Sequence, residues 1–208
     1  MFLKRIMRQK LPQTGPVKNI TMRTFIAIEL PNEIRNSLSR LQEQLKTSGA
    51  DVKWVAPENI HLTLKFLGEV EEKKLEKITQ IIEDTCGERN KFQIRIASLG
   101  AFPKIDFPRV IWVGLDLGDK ETKEIAKELE QNLAKIGIPK EDRSFSSHIT
   151  IGRMRSTLNR EKLVQNLRNK LGGQNLEFCV NKITLFKSTL TPKGPIYEVL
   201  KEANLKTI

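Results

Sequence analysis

Histidine and cysteine, the side chains that most often bind transition metals, are nearly missing from this chain: there are two of each in 208 residues. Cys86 and Cys179 form no CxxC and no metal-like spacing, so the sequence writes neither a zinc ribbon nor a thioredoxin-type redox motif. The simplest reading is free thiols in a cytoplasmic protein, with a disulfide left open at this level. No apolar run approaches the roughly 18–20 residues of a membrane span. The phosphate loop GxxxxGK[ST], the dinucleotide fingerprint GxGxxG and the GxSxG nucleophile elbow are all absent, although Ser146 and Ser147 lie near a histidine. Residues 1–21 lack the continuous apolar segment of a signal peptide.

What is present is positive charge. Lys and Arg number 36 against 25 Asp and Glu, a net +11 on an otherwise ordinary composition of 38% hydrophobic and 29% charged residues. That balance favours a polyanionic partner such as nucleic acid. Residues 1–21 hold Lys4, Arg5, Arg8, Lys10 and Lys18 and no acid, leaving 11 − 5 = +6 for the rest. They are read as a basic extension outside the fold, with Met22 as the natural start. A basic RNA-binding arm is the functional alternative. Residues 22–205 are read as one domain.

Both histidines head the same short pattern, HLTLKFLG at His61–Gly68 and HITIGR at His148–Arg153. In a strand, side chains alternate between faces, so His61 and Thr63 share one side while Leu62 and Leu64 take the other; His148 and Thr150 stand likewise against Ile149 and Ile151. A lone strand histidine is usually structural. Two in one chain, both in an HxT pattern with matching apolar flanks, point to a shared site.

The surrounding order repeats. TFIAIEL (24–30) and RVIWVGLDL (109–117) read as strands that precede each motif. Apolar stripes at helical spacing follow them, Ile34, Leu38, Leu41 and Leu45 in one half and Ile125, Leu129, Leu133 and Ile136 in the other. A second helix follows each motif, and then a strand beginning near Phe92 or Phe178. The segment Gly100–Pro108 reads as a loop. The histidines are 148 − 61 = 87 residues apart; Phe25 lies 36 before the first and Ile111 lies 37 before the second. The expectation is an α+β fold of two lobes related by a pseudo-twofold axis. Each lobe has its own antiparallel sheet and flanking helices, and the HxT strands meet at a cleft between them.

Near neutral pH one imidazole can accept a proton while another donates one, which suits phosphoryl transfer. The threonine hydroxyls can bond phosphate oxygens, and Lys65 and Arg153 are nearby cations for charge neutralisation. Catalytic zinc needs about three protein ligands. Neither motif contains a carboxylate, although Glu69, Asp106 or Asp142 could be recruited, so no metal and no cofactor is expected.

The paired motifs resemble those of the 2H phosphoesterases. With MRTFIAIELP from Met22, the Trp54–His61 segment and FPRVIWVGL, the chain is similar more closely to the RNA 2′,3′-cyclic phosphodiesterase family, also called 2′-5′ RNA ligases, over roughly Met22 to Leu200. The resemblance implies a hydrolase that opens 2′,3′-cyclic phosphate ends of RNA to 2′-phosphomonoesters without metal. It implies His61 and His148 as the catalytic pair, Thr63 and Thr150 as phosphate ligands, and Phe66 and Arg153 as contacts to the nucleotide. Strict alternation turns Phe66 and Arg153 away from the histidines unless Gly68 or Gly152 permits a bulge, and a core position is the competing role for Phe66. His148 is expected as the base and His61 as the acid. Open alternatives are a 2′-5′ ligase joining RNA ends such as tRNA halves, a phosphodiesterase for small cyclic nucleotides such as ADP-ribose cyclic phosphate, and a non-catalytic RNA-binding protein. A cytoplasmic monomer acting in RNA processing is expected, with no membrane partner.

Overall fold

The apolar stripe Ile34, Leu38, Leu41 and Leu45 is buried along one side of helix α1 (Asn32–Lys46). Helix α2 (Leu75–Gly87) buries Ile78, Ile82 and Cys86, α3 (Asp119–Lys135) buries Ile125, Leu129 and Leu133, and α4 (Arg160–Asn169) buries Leu163 and Leu167. All of these join one core with Ile26, Ile28, Leu62, Ile149 and Ile151 from the strands. The intervening strand residues Phe25 and Ala27, with Phe186, form a small separate cluster on the opposite face. The sheet thus has a helix-covered side and an open side, as period-2 alternation in antiparallel strands allows. The structure, a computed structural model, describes residues 20–169 and 176–207.

The strands are β1 (Thr21–Glu29), β2 (Val52–Trp54), β3 (His61–Glu71), β4 (Phe92–Lys104), β5 (Phe107–Leu117), β6 (His148–Met154), β7 (Leu176–Val180), β8 (Lys182–Thr191) and β9 (Gly194–Asn204). They form one nine-stranded sheet in the order β7-β4-β5-β6-β3-β1-β8-β9, with β2 added on β6. The expectation of a separate sheet in each lobe is therefore corrected. The two HxT strands β3 and β6 would be facing edges of two half-sheets, and they are joined at the Leu62–Ile149 pair, with β2 pairing the rest of β6.

The halves also exchange strands. β4 of the first half pairs with β5 of the second, and β8 and β9 return to β1. The strand that stands to β1 as β4 stands to β5 is therefore β8. Phe178 lies in the outer strand β7, so the match of Phe92 with Phe178 fails. The segment from Gly100 to Pro108 is no loop: β4 and β5 pair as far as Lys104 and Phe107. Residues 1–19 lie outside the described residues, as do Leu171, Gly172 and Gly173, the expected end of α4. Thr21 already pairs with Glu71, and the Ile20 carbonyl accepts the Glu72 N–H, so the end of the basic stretch is part of the sheet. Both cysteines are free, Cys86 buried and Cys179 exposed. No helix among the described residues is long and apolar enough to cross a membrane.

Candidate active site

Because β3 and β6 are antiparallel about the Leu62–Ile149 pair, His61 faces Thr150 and Thr63 faces His148. The two imidazoles start from diagonal positions, for which about 7–8 Å is the usual separation. The structure thus brings together the four residues expected from the motifs.

Each imidazole is held in the same way. His61 Nδ1 lies 2.8 Å from the Asn59 carbonyl and His148 Nδ1 lies 2.8 Å from the Ser146 carbonyl, in each case two residues upstream. A carbonyl only accepts, so Nδ1 carries the hydrogen and donates it. The free nitrogen of each neutral ring is therefore Nε2, the atom that can exchange a proton with substrate.

Aromatic rings from neighbouring strands pack on both. Phe25 lies 4.8 Å from the His61 ring and Tyr197 meets it edge-on at 5.4 Å. Phe102 meets His148 edge-on at 5.0 Å, with Trp112 at 6.4 Å. Burial in this nest lowers His61 from 6.5 to about 4; the bond to Asn59 opposes the shift and the charge of Arg35 adds to it. In the free protein at neutral pH, His61 is an uncharged proton acceptor. Phe25 and Trp112 are 112 − 25 = 87 residues apart, the same shift as the histidines. Phe25 served in the sequence only as a register position, and Trp112 was not singled out, yet the 87-residue register, taken without the one-residue slip to Ile111, points to Trp112. Tyr197 and Phe102 had no such signal.

Phe66 and Arg153 come to the histidine side because both strands bulge at the equivalent place. Across β1 the pairing jumps from Lys65 to Thr63, skipping Leu64; across β5 it jumps from Gly152 to Thr150, skipping Ile151. A one-residue bulge reverses the alternation beyond it. Phe66 is 54% exposed and 6.1 Å from Phe25, so it is not a core residue. Arg153 is exposed, and its charge, with that of Arg23, lowers the Tyr197 hydroxyl pKa against the burial that raises it further. Gly152 is required at its bulge: a Cβ there would sit 2.8 Å from Val52 and 3.0 Å from Trp54.

The same bulge removes Lys65 from the candidates. It is 4% exposed on the helix side, where Nζ pairs with Glu130 at 2.7 Å and donates to the Pro139 carbonyl at 2.8 Å. A hollow of about 170 Å³ beside His61 is lined by Arg23, Phe25, Phe66 and Tyr197 among others. Among the described residues no three His, Cys, Asp or Glu side chains gather as a metal site requires.

The family model of the LigT-like phosphoesterases matches residues 28–112 and 116–197, one stretch around each histidine motif. An RNA 2′,3′-cyclic phosphodiesterase of Methanocaldococcus jannaschii is 40% identical over 181 residues, covering 87% of this chain and 99% of that protein. One of Methanothermobacter thermautotrophicus is 38% identical over 180 residues, covering 85% and 95%. Among solved structures, a Thermus thermophilus protein superposes with a TM-score of 0.76 at 28% identity, over 89% of this chain and 99% of that one. Escherichia coli LigT complexed with 3′-AMP does so at 0.73 and 26%, over 90% and 99%. With its two HxT strands paired at the centre of one sheet, the chain belongs to the LigT-like phosphoesterases, in the RNA 2′,3′-cyclic phosphodiesterase family of 2H enzymes.

Proposed function

We propose that this enzyme hydrolyses the 2′,3′-cyclic phosphate at the end of an RNA to a 2′-phosphomonoester, without metal, by acid and base catalysis between His148 and His61. The observation that carries the reading is the pair of imidazoles at diagonal positions on adjoining strands, each with Nδ1 tied to the backbone two residues upstream and Nε2 left free. Water attacks phosphorus as His148 Nε2 takes its proton. The P–O3′ bond breaks, and His61 Nε2 gives its proton to O3′, leaving a 3′-hydroxyl and a 2′-phosphate. Uncharged in the free protein, His61 acquires that proton with the anionic substrate, whose charge offsets the desolvation that lowers its pKa. Once protonated, it is a readily donating acid.

Thr63 and Thr150 donate to the non-bridging phosphate oxygens from opposite sides, and Arg153 balances the charge. The terminal base stacks in the hollow bounded by Phe25, Phe66 and Tyr197. One chain supplies both histidines, so a monomer suffices.

The test is incubation in chelator with an RNA ending in 2′,3′-cyclic phosphate, followed by identification of the product end. A 2′-phosphate is expected. A 3′-phosphate overturns the assigned leaving oxygen. Activity lost in chelator and restored by a divalent ion overturns the metal-free mechanism. Joining to an RNA bearing a 5′-hydroxyl, in preference to hydrolysis, shows that the site runs as a ligase.

A further inference from the structure

We propose that the groove beyond the far end of β6 binds the unpaired RNA strand upstream of the reacting phosphate; this deepens the RNA reading above and rests on it. The groove, about 410 Å³, lies between the tip of the β4–β5 hairpin and the segment joining β6 to α4, and is lined by Phe107, Arg109, Arg155 and Arg160 among others. It is separate from the hollow beside His61 and shares no residue with it.

Its chemistry fits a single strand. Phe107 is 49% exposed, with the Lys104 ammonium 4.9 Å and the Arg160 guanidinium 5.0 Å from its ring centroid. A half-exposed ring rimmed by cations is what a single strand requires, because bases stack on aromatic faces while phosphates take the charges. Either cation can swing to a phosphate as a base replaces it on the ring.

The charges are uncompensated. Among the described residues Lys104, Arg109, Arg155 and Arg160 have no carboxylate at ion-pair distance, whereas Arg89, Arg95, Lys182, Lys187 and Lys201 each have at least one. The acid at the hairpin tip, Asp106, is engaged by Arg168. Several unpaired cations around one groove repel one another until an anion enters. The groove wall is preformed, since the Arg155 N–H donates to the Asp51 carbonyl and Asn159 Nδ2 to the Gly49 carbonyl, both at 2.9 Å.

The groove is also continuous with the site through one strand. β6 carries His148, Thr150 and Arg153 in turn, and Arg155 follows. Seven residues of strand span about 20 Å. A stacked strand advances about 3.4 Å per nucleotide, so about six nucleotides bridge from the reacting phosphate to the groove. The terminal base then lies toward Phe66 and the rest of the RNA toward Arg155, on opposite sides of the histidines.

The experiment compares a dinucleotide with a single strand of about ten nucleotides, both ending in the same 2′,3′-cyclic phosphate. The proteins are the wild type, Arg109→Gln/Arg155→Gln/Arg160→Gln and Phe107→Ala. For the wild type, kcat/KM is expected to be at least about tenfold higher on the longer RNA, with a steeper salt dependence. The triple variant, with unchanged melting temperature, keeps its dinucleotide turnover, loses the gain from length, and loses about two from the slope of log kcat/KM against log salt, near 0.7 per phosphate contact released. Phe107→Ala loses part of the gain at an unchanged salt slope. No gain from length in the wild type, or an intact gain in the triple variant, overturns the proposal. Fluorescence anisotropy of the labelled longer RNA reads the groove independently of turnover. RNA that binds through the arginines without being hydrolysed keeps the groove and overturns the catalytic reading instead. Equal competition by polyglutamate of matched charge overturns RNA as the occupant.

Discussion

Lys65 Nζ and Glu130 Oε2 meet at 2.7 Å on the helix side of the sheet, behind the strand that presents His61. Lys65 belongs to the first half and Glu130 to α3 of the second. The other half is braced in return: Gln42 of α1, 3% exposed, donates at 2.8 Å to the carbonyls of Val55 and Ile151. Both braces fall on the bulges that carry Phe66 and Arg153 to the histidine side of the sheet. Each half's first helix thus fixes the register of the other half's histidine strand.

Removing one partner of either brace leaves a buried polar group unmet. Lys65→Met is expected to lower unfolding free energy by about 2–4 kcal/mol, below the largest values for buried pairs because Glu130 keeps some contact with water. Adding Glu130→Leu is expected to recover most of that loss. Gln42→Leu is expected to cost about 1–3 kcal/mol, for it strands the Val55 carbonyl and takes one of two bonds from the Ile151 carbonyl, which keeps the Val55 N–H. Urea titrations measure all three; a double variant no more stable than Lys65→Met shows that the pair is not the source of the loss.

The nest around His61 sets two pH dependences. Its pKa falls from 6.5 unfolded to about 4 folded. Between these values the unfolded chain holds the additional proton, so this residue's contribution lowers stability as pH drops from about 6.5 to about 4, by up to about 3 kcal/mol, and is constant above. His61→Gln is expected to lose that part of the slope in urea titrations at pH 7 and 4.5. The acidic limb of kcat/KM reports a group of the free enzyme. It is expected near pH 4 whether His61 gives or takes the proton. A limb near 6.5, or an unchanged stability slope in His61→Gln, shows that the ring is not desolvated.

Thr63→Val and Thr150→Val keep shape and remove a hydroxyl. Each is expected to cost about 1–3 kcal/mol of transition-state stabilisation, roughly 5- to 150-fold in kcat/KM, as for a hydrogen bond to a charged group. Turnover of a cyclic phosphate dinucleotide measures this, and a change under about twofold in both removes the threonines from phosphate binding.

The central part of this arrangement was legible in the residues. HxT at His61 and His148 marks the two strands that pair at Leu62 and Ile149, and alternation alone puts each histidine on one face with its threonine. The helices follow from stripes such as Leu38, Leu41 and Leu45. What alternation hides is the bulge. It reads Lys65 as a phosphate ligand, and it turns Phe66 and Arg153 inward, because skipping Leu64 or Ile151 depends on how β1 and β5 pair across. Strand exchange is equally invisible to a linear repeat, which matches Phe92 to Phe178 although β8 takes the corresponding place. Tyr197 escaped for the same reason, since only the return of β9 brings it to His61.

The division of labour between the histidines is tested by changing the leaving group. His61→Ala and His148→Ala are each expected to lose about 10²–10⁴ in turnover with little loss of binding. The double variant is expected to be little worse than either, since both groups act in one step. In the proposed mechanism His61, uncharged in the free protein, takes up its proton with the anionic phosphate and gives it to O3′. In the same proposal His148 deprotonates water from the opposite side. Sulfur in place of O3′ leaves without protonation, so a 3′-phosphorothiolate substrate is expected to restore most of the turnover of His61→Ala and little of that of His148→Ala. The reverse pattern exchanges the roles. Full activity of either single variant on the oxygen substrate removes that residue from the mechanism, and with it the inference that two facing HxT strands work as one acid and base pair.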